Sequence, residues 1–289
     1  MDITIEPLVL PQALASCERL QWEVFGKESR EILSSHLLVE LVRAGGIVLG
    51  AYDIDVVPPH LCGCLIDLFA GRHGSLSRLT LLHYVEKTAR NRGVGYQLRV
   101  KEREACCKEG VELITWMIDP LRGAQAHFAF NKLGAIATAY ERNVYGELTD
   151  PANRGLATDR LAIEWWIASS RVLEIVDRGR LPGHYHFGFE RMEVVTKTRL
   201  TESGARRLLK AETNPRSDVL LFEIPVNLDL LREHNPDLAR DWRTKTREAF
   251  ERLFADGYIL SGFVHEAGRS FHLFERTDKA ALLRRTARK

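Results

Sequence analysis

The sequence predicts an α/β chain: a mixed α+β sheet with helices on both faces, followed by a smaller α+β module. Three observations carry this expectation. Apolar residues recur at helical spacing in some windows and alternate, or run continuously, in shorter ones. Those windows follow the order helices, antiparallel strands, then strand–helix–strand–helix–strand, which suits a layered mixed sheet. A length of 289 residues favours two domains over one. The expected division is a first domain at 1–168, a linker at 169–190 and a C-terminal module at 191–289.

Taken in order, residues 12–21 and 28–43 read as helices. In the second, Leu33, Leu37, Leu38, Leu41 and Val42 recur every three or four residues, and Gly45-Gly46 ends it. Ile47–Tyr52 and Leu61–Phe69 read as strands around the turn-rich Val56-Val57-Pro58-Pro59. Gly71–Ser77 reads as a polar loop and Leu79–Val85 as a further strand. A helix is expected over Val94–Lys108, closed by Gly110, then a strand over Glu112–Ile118 stopped by Asp119-Pro120. A helix at Ala124–Lys132 ends at Gly134. Strands at Ala135–Glu141 and Ala162–Ile167 enclose a polar loop, Gly146–Thr158.

Beyond a turn-rich Arg178–Gly188, strands are expected at Arg191–Leu200 and Val219–Ile224, a helix at Leu238–Phe254, and a hairpin of Tyr258–Val264 and Ser270–Phe274. The order helix, glycine, strand, turn, strand occurs at 124–145 and again at 238–274, an echo that suggests a degenerate half-domain at the C-terminal end. The basic run from Leu283 to Lys289 reads as a frayed terminus.

Bulk properties narrow the function. Hydrophobic residues make up 45% and charged residues 28%, with a net charge of only +2. No general electrostatic field drives the chain onto nucleic acid or membrane, so neither is an expected partner. The first residues lack a secretory signal profile, and Leu37–Tyr52 is too short and too interrupted to span a bilayer; a cytoplasmic protein is expected. The five cysteines, Cys17, Cys62, Cys64, Cys106 and Cys107, have neither zinc nor redox-dithiol spacing and are expected to be reduced and packed. Cys62 and Cys64, two apart in a strand, are expected to share a face. No metal is expected, including at His184 and His186, which flank Tyr185.

The segment with chemistry is Leu82 to Leu98. A strand runs into Arg90-Asn91-Arg92-Gly93-Val94-Gly95-Tyr96, and this turn opens a helix. The first N–H groups of a helix have no partners within it and carry partial positive charge, which suits a pyrophosphate. Gly93 and Gly95 let the backbone approach closely, and Arg90 and Arg92 add charge. The plain alternative is an ordinary strand-to-helix turn with glycines for packing. A Walker P-loop is excluded, because Tyr96-Gln97 stand where Lys and Ser or Thr are required. A dinucleotide fingerprint lacks its third glycine, Leu98 taking that place, although Asp119 lies at the spacing of a ribose-binding acid.

Arg90-Asn91-Arg92-Gly93-Val94-Gly95 resembles the R/Q-x-x-G-x-G/A signature of GNAT acetyltransferases. The flanking strand ending at Val85, the long helix, the strand at Glu112–Ile118 and the helix ending Asn131-Lys132-Leu133-Gly134-Ala135 resemble that family too, over about residues 1–167. The resemblance implies that the backbone from Arg92 to Tyr96 holds the diphosphate of an acyl-CoA. It implies that the main chain at Val85 and Glu86 pairs with the pantetheine arm and polarises the thioester carbonyl, between two strands that splay apart. Where many members carry an Asn and a Tyr acid in the last helix, this chain has Gly123 and Phe130, so any acid is another residue or water.

The whole chain also resembles two-part GNAT relatives through Ile114-Thr115-Trp116, Asp119-Pro120-Leu121, Trp242-Arg243, Phe250 and Gly257-Tyr258. Relatives of that kind include enzymes acylating small amino acids, some with succinyl-CoA. The resemblance implies acetyl or succinyl transfer to the amine of a small molecule, with a homodimer allowed. The other class is a CoA-binding sensor or assembly module without turnover. The candidate base is His83, then Asp119, with capping of the Pro120 turn as the plain role of the latter. Tyr145 is the candidate acid; His127 is a weaker candidate, and Arg122 or Arg142 could meet a substrate carboxylate.

Overall fold

A computed structural model describes residues 1–26, 29, 32–72, 75–148, 153–180, 192–212 and 214–284. Packing divides the chain into two compact units, Met1–Trp116 and Met117–Lys289. The expected first domain, 1–168, therefore takes in the whole of one unit and part of the other.

Five strands lie in the order β1 (Ile3–Pro7), β2 (Ile47–Asp53), β3 (His60–Arg72), β4 (Ser75–Val85) and β5 (Leu113–Ile118), the first four and β5 as far as Trp116 belonging to the first unit. The first four are antiparallel neighbours, and β4 and β5 run parallel. Helices α1 (Pro11–Phe25) and α2 (Ser35–Arg43) bury Leu14, Cys17, Leu20 and Leu38 against one face, with Cys64, Ile66 and Tyr84 from the sheet. Helix α3 (Val94–Lys108) buries Val94 and Leu98 on the other, against Leu49, Ala51, Cys62 and Leu65. Burying both faces explains why β2 and β3 read as continuous apolar runs rather than strict alternations.

Two details differ from the sequence expectation. In the polar segment expected as a loop, Gly71, Arg72 and Ser75–Ser77 are strand, because β3 and β4 pair as far as Arg72↔Ser75. Helix α2 starts at Ser35 rather than 28: Ser34 caps it, its hydroxyl accepting from the Leu37 N–H, and an N-cap marks the true start. Cys62 and Cys64 lie on opposite faces rather than one. The β2–β3 register slips between Ala51↔Gly63 and Tyr52↔Leu61, a bulge at Cys62 that breaks the two-residue period. Cys17, Cys62, Cys64 and Cys106 are buried, Cys107 is exposed, and all five are free.

The second unit holds strands β6 (Ile136–Glu141), β7 (Arg160–Trp166), β8 (Glu193–Val194), β11 (Val219–Ile224), β12 (Tyr258–Glu266) and β13 (Arg269–Arg276), in the order β7-β6-β12-β13-β11-β8. A separate ribbon pairs β9 (Thr196–Leu200) with β10 (Arg206–Ala211), a strand the sequence did not disclose. Arg191–Leu200 was expected as one strand, and Val195 divides its described part into β8 and β9. Helix α4 (Gly123–Ala126) passes into a π-helical turn, His127–Lys132, and α5 (Ser170–Val172) into another, Leu173–Asp177.

Helix α6 (Leu228–His234) precedes α7 (Pro236–Ala255), and α8 (Lys279–Arg284) occupies part of the expected frayed end. Phe250 of α7 meets Phe222, His272 and Phe274 of the sheet edge-on, at 4.9, 5.5 and 4.9 Å. Within this unit the order helix, positive-φ glycine, strand recurs: Gly134 (φ 73°) precedes β6 and Gly257 (φ 82°) precedes β12. These two strands are antiparallel neighbours through Leu260↔Ala137.

Candidate functional site

The chemistry-bearing turn lies in the first unit, and strand β4 shapes it. Its ladder with β5 runs from Ser77↔Leu113 to Leu79↔Thr115, while β4 itself continues to Val85 beside β3. Between Ile66↔Leu82 and Asp67↔Thr80 the β3–β4 register slips, so Leu81 is an extra residue on β4. A bulge bends its strand and can end pairing on the far edge, and this one sits two residues past the last β5 partner. Beyond it, the Glu86 N–H donates to the Cys62 carbonyl at 2.9 Å. By antiparallel alternation the main chain of Val85 turns the other way, off β3. Of the two residues expected to meet the pantetheine arm, only Val85 points its N–H to that edge. Its carbonyl accepts from Arg90 Nε at 3.0 Å.

After β4 the chain makes a 3₁₀ turn, Lys87–Ala89, and reaches Asn91 and Gly93 with φ of 61° and 83°. Gly93 is the N-cap of α3, and no side chain caps the helix. The first helical bond is Gln97 N–H to the Gly93 carbonyl at 3.0 Å, so the N–H groups of Gly93, Val94 and Gly95 precede the ladder. A Cβ built on Gly93 meets nothing within 4 Å. The positive φ, not crowding, demands glycine there. Arg90 and Arg92 are exposed beside it, Val94 is buried under the helix and Tyr96 is half-buried. The Glu86 carboxylate is held by His60 Nε2 at 2.8 Å and the Thr88 hydroxyl at 2.7 Å.

His83 lies beneath this turn. A Cβ on Gly95 would come within 3.3 Å of its Cε1 and Nε2, so Gly95 is what lets the imidazole pack under the first turn of α3. Burial, with the Arg99 charge in support, lowers its proton affinity well below the ordinary histidine range. Arg99 donates to the Thr80 hydroxyl at 2.6 Å and to Glu102 at 2.8 Å, and its guanidinium lies 4.0 Å from the Trp116 ring centroid. Both charges are buried, on the sheet-facing side of α3. Sequence reasoning passed over them; the signal was a charged pair three residues apart, in phase with Leu98 and Cys106.

The other candidates belong to the second unit. Asp119 is buried; Oδ2 accepts from Arg243 Nη2 at 2.6 Å and Oδ1 from the Leu121 N–H at 2.8 Å. Burial raises its proton affinity, but the attraction of Arg243 outweighs this and the net shift is downward. Those partners fit the capping role at the Pro120 turn. Tyr145 is 52% exposed, with the Arg160 guanidinium 5.2 Å from its ring centroid. His127 accepts from Asn131 Nδ2 at 3.1 Å, and burial, then Lys132, lowers its proton affinity. Arg122 is engaged bidentately by Asp229 at 2.8 Å, and Arg142 pairs with Glu251.

The two departures in the last helix have packing reasons. A Cβ on Gly123 would meet the Phe263 ring at 2.8 Å, and Phe130 is a fully buried ring 6.2 Å from His272. Among the described residues no cluster of three or more His, Cys, Asp or Glu could hold a metal, and no helix is long and apolar enough to cross a membrane. His184 and His186 lie outside the described residues, as do residues 181–190 of the expected linker.

Comparison with known proteins gives a likeness of fold. No family profile matches the chain, and no curated protein matches it in sequence. Among solved structures, the chain is similar to a chain of the NatC complex bound to Gag peptide and CoA, at 16% identity and a TM-score of 0.46, covering 57% of this chain and 98% of that one. It is similar to a GNAT-family acetyltransferase from Desulfovibrio desulfuricans at 16% identity and 0.45, covering 58% and 100%. For the ribosomal-protein-S18-alanine N-acetyltransferase of Escherichia coli the values are 14% and 0.45, covering 57% and 94%. At these identities the similarity is one of fold alone: somewhat over half of the chain is similar in fold to GNAT acetyltransferases.

Proposed function

We propose that this chain is an acyl-CoA-dependent N-acyltransferase that moves an acetyl or succinyl group to the amine of a small molecule, an amino acid being the leading acceptor class. The observation that carries the reading is the uncapped start of α3 at Gly93, open above and flanked by Arg90 and Arg92, next to the unpaired edge of β4. The site fits a diphosphate: its amides precede the helical ladder, and no described residue comes within 4 Å of a Cβ built on Gly93.

Held there, acyl-CoA supplies a thioester carbonyl activated toward a nucleophile. The amides of Gly93, Val94 and Gly95 bind the diphosphate and the two arginines neutralise its charge. The Val85 N–H donates to the thioester oxygen as negative charge gathers on it. Direct attack needs an unprotonated amine, and an α-amino group with pKa near 8 is roughly 10% free at pH 7. His83 is neutral at that pH, able to accept the proton and, having low affinity for it, to pass it on to water. With Phe130 buried in the position of the usual tyrosine, the departing thiolate takes its proton from water.

The burial of Phe130 is also what favours the second reading, a CoA-binding sensor without turnover. Free-thiol release from acetyl-CoA and succinyl-CoA, measured against an amine panel alongside CoA binding, separates the two. Binding with amine-dependent thiol release supports the transferase; binding without release leaves the sensor; no CoA binding refutes both.

A further inference from the structure

The second unit gathers more positive than negative charge at one buried place. Arg243 on α7 is 3% exposed and donates Nη2 to Asp119. Arg160 Nη1 lies 4.0 Å from the same Asp119 oxygen and donates to the Asp159 carbonyl at 3.0 Å. One turn further along α7, Arg247 grips the buried Asp159 carboxylate with two bonds of 2.8 Å, and the Tyr140 hydroxyl donates to it at 2.7 Å. Three guanidinium groups thus face two carboxylates. His272, whose Nε2 donates to the Pro120 carbonyl at 2.7 Å, adds no charge, because burial holds it down to about 4.

The surplus has an address. Arg243 Nε and Nη1 are buried and meet no partner among the described residues, and neither does the hydroxyl of Thr246, one turn along the same face of α7. An unpaired donor on a buried cation is costly, and a small anion relieves both the missing hydrogen bonds and the charge. The arginines first considered for a carboxylate, Arg122 and Arg142, are already paired with Asp229 and Glu251.

We propose that Arg243, with Thr246, forms a binding site for a small carboxylate anion in the second unit. Guanidinium N–H groups donate to the carboxylate oxygens and the Thr246 hydroxyl adds a further donor. Asp119 orients the guanidinium from its other edge.

The test needs no CoA, so its outcome is separate from that of the transferase reading. Thermal unfolding of the full chain is followed against formate and acetate, with chloride matching ionic strength. A saturable rise in Tm with the carboxylates over chloride is expected, abolished in Arg243→Met and weakened at least fivefold in affinity in Thr246→Val. If Arg243→Met does not fold, Thr246→Val carries the test, since it removes only the hydroxyl. Superimposable carboxylate and chloride series overturn the proposal. So does unchanged affinity in Thr246→Val, or a crystal grown in formate showing only water against Arg243.

Discussion

Gly93→Asp tests the diphosphate assignment most directly. At φ 83° the aspartate backbone is strained by roughly 1 kcal/mol, the order of cost for a side chain in left-handed conformation. No clash adds to this, because a Cβ there meets nothing within 4 Å. Folding is therefore expected to survive with a Tm a few degrees lower. Binding is different. A carboxylate about 4 Å from a phosphoryl charge repels it by about 1 kcal/mol even at the dielectric of water. Gly93 is exposed, so that low figure is the appropriate one. Two phosphoryl charges give about 2 kcal/mol, a loss of roughly 30-fold in affinity. Calorimetry with CoA and with pantetheine, which lacks the diphosphate, isolates the effect: CoA should weaken and pantetheine should not. Equal affinity of wild type and variant for CoA, in a folded variant, refutes the assignment. Gly93→Ala is the control, sharing the backbone cost without the charge.

Other perturbations probe the neighbouring residues. Gly95→Ala places a methyl 3.3 Å from the His83 ring; the gain in helix propensity, about 1 kcal/mol, offsets the crowding, so Tm stays close to wild type while turnover falls at least tenfold. Unchanged turnover across pH 6–9 in this variant and in His83→Ala removes His83 from the mechanism. Asp119→Asn strands a buried Arg243 and is expected to cost about 3–5 kcal/mol in urea unfolding; a stable variant that has lost only turnover would instead make Asp119 a base. His272 predicts a pH effect. Its folded pKa of about 4 lies below the unfolded value near 6.5, so the unfolded chain binds the extra proton and stability falls with pH in that window. The loss between pH 7 and 5 is about 2 kcal/mol, and His272→Gln should flatten the slope by that amount. His83 acts in the same sense, so part of the slope remains.

Some helices and strands were legible as written. Helix α3 occupies Val94–Lys108 as expected and β11 occupies Val219–Ile224, because local preference and tertiary packing agree there. Where they disagree, the sequence misled. Gly71–Ser77 has loop composition, yet pairing between two long strands carries Gly71, Arg72 and Ser75–Ser77 into the sheet. Strand β10, Arg-Arg-Leu-Leu-Lys-Ala, shows little alternation because only Leu208 is buried in it. The faces of Cys62 and Cys64 depended on a bulge, and a bulge is a property of two strands at once that a single strand does not announce.

The site divides along the same line. Glycine at positions 93 and 95 was readable, but the two have different reasons: one answers to a positive φ under open space, the other to a histidine ring twelve residues upstream. Only the second couples the turn to the candidate base, and no count of residues between motifs contains it. Glu86 illustrates the converse. It adjoins Val85 in sequence and was given the same task, yet alternation along an antiparallel ladder sends neighbouring N–H groups to opposite edges, and Glu86 spends its own on Cys62. Under the proposed transferase reading, the donor to the thioester is then assigned to Val85 alone, on the edge where β4 has parted from its β5 ladder. The bulge at Leu81 bends the strand there, so inserting or deleting one residue at that bulge should abolish acyl transfer while sparing the diphosphate turn.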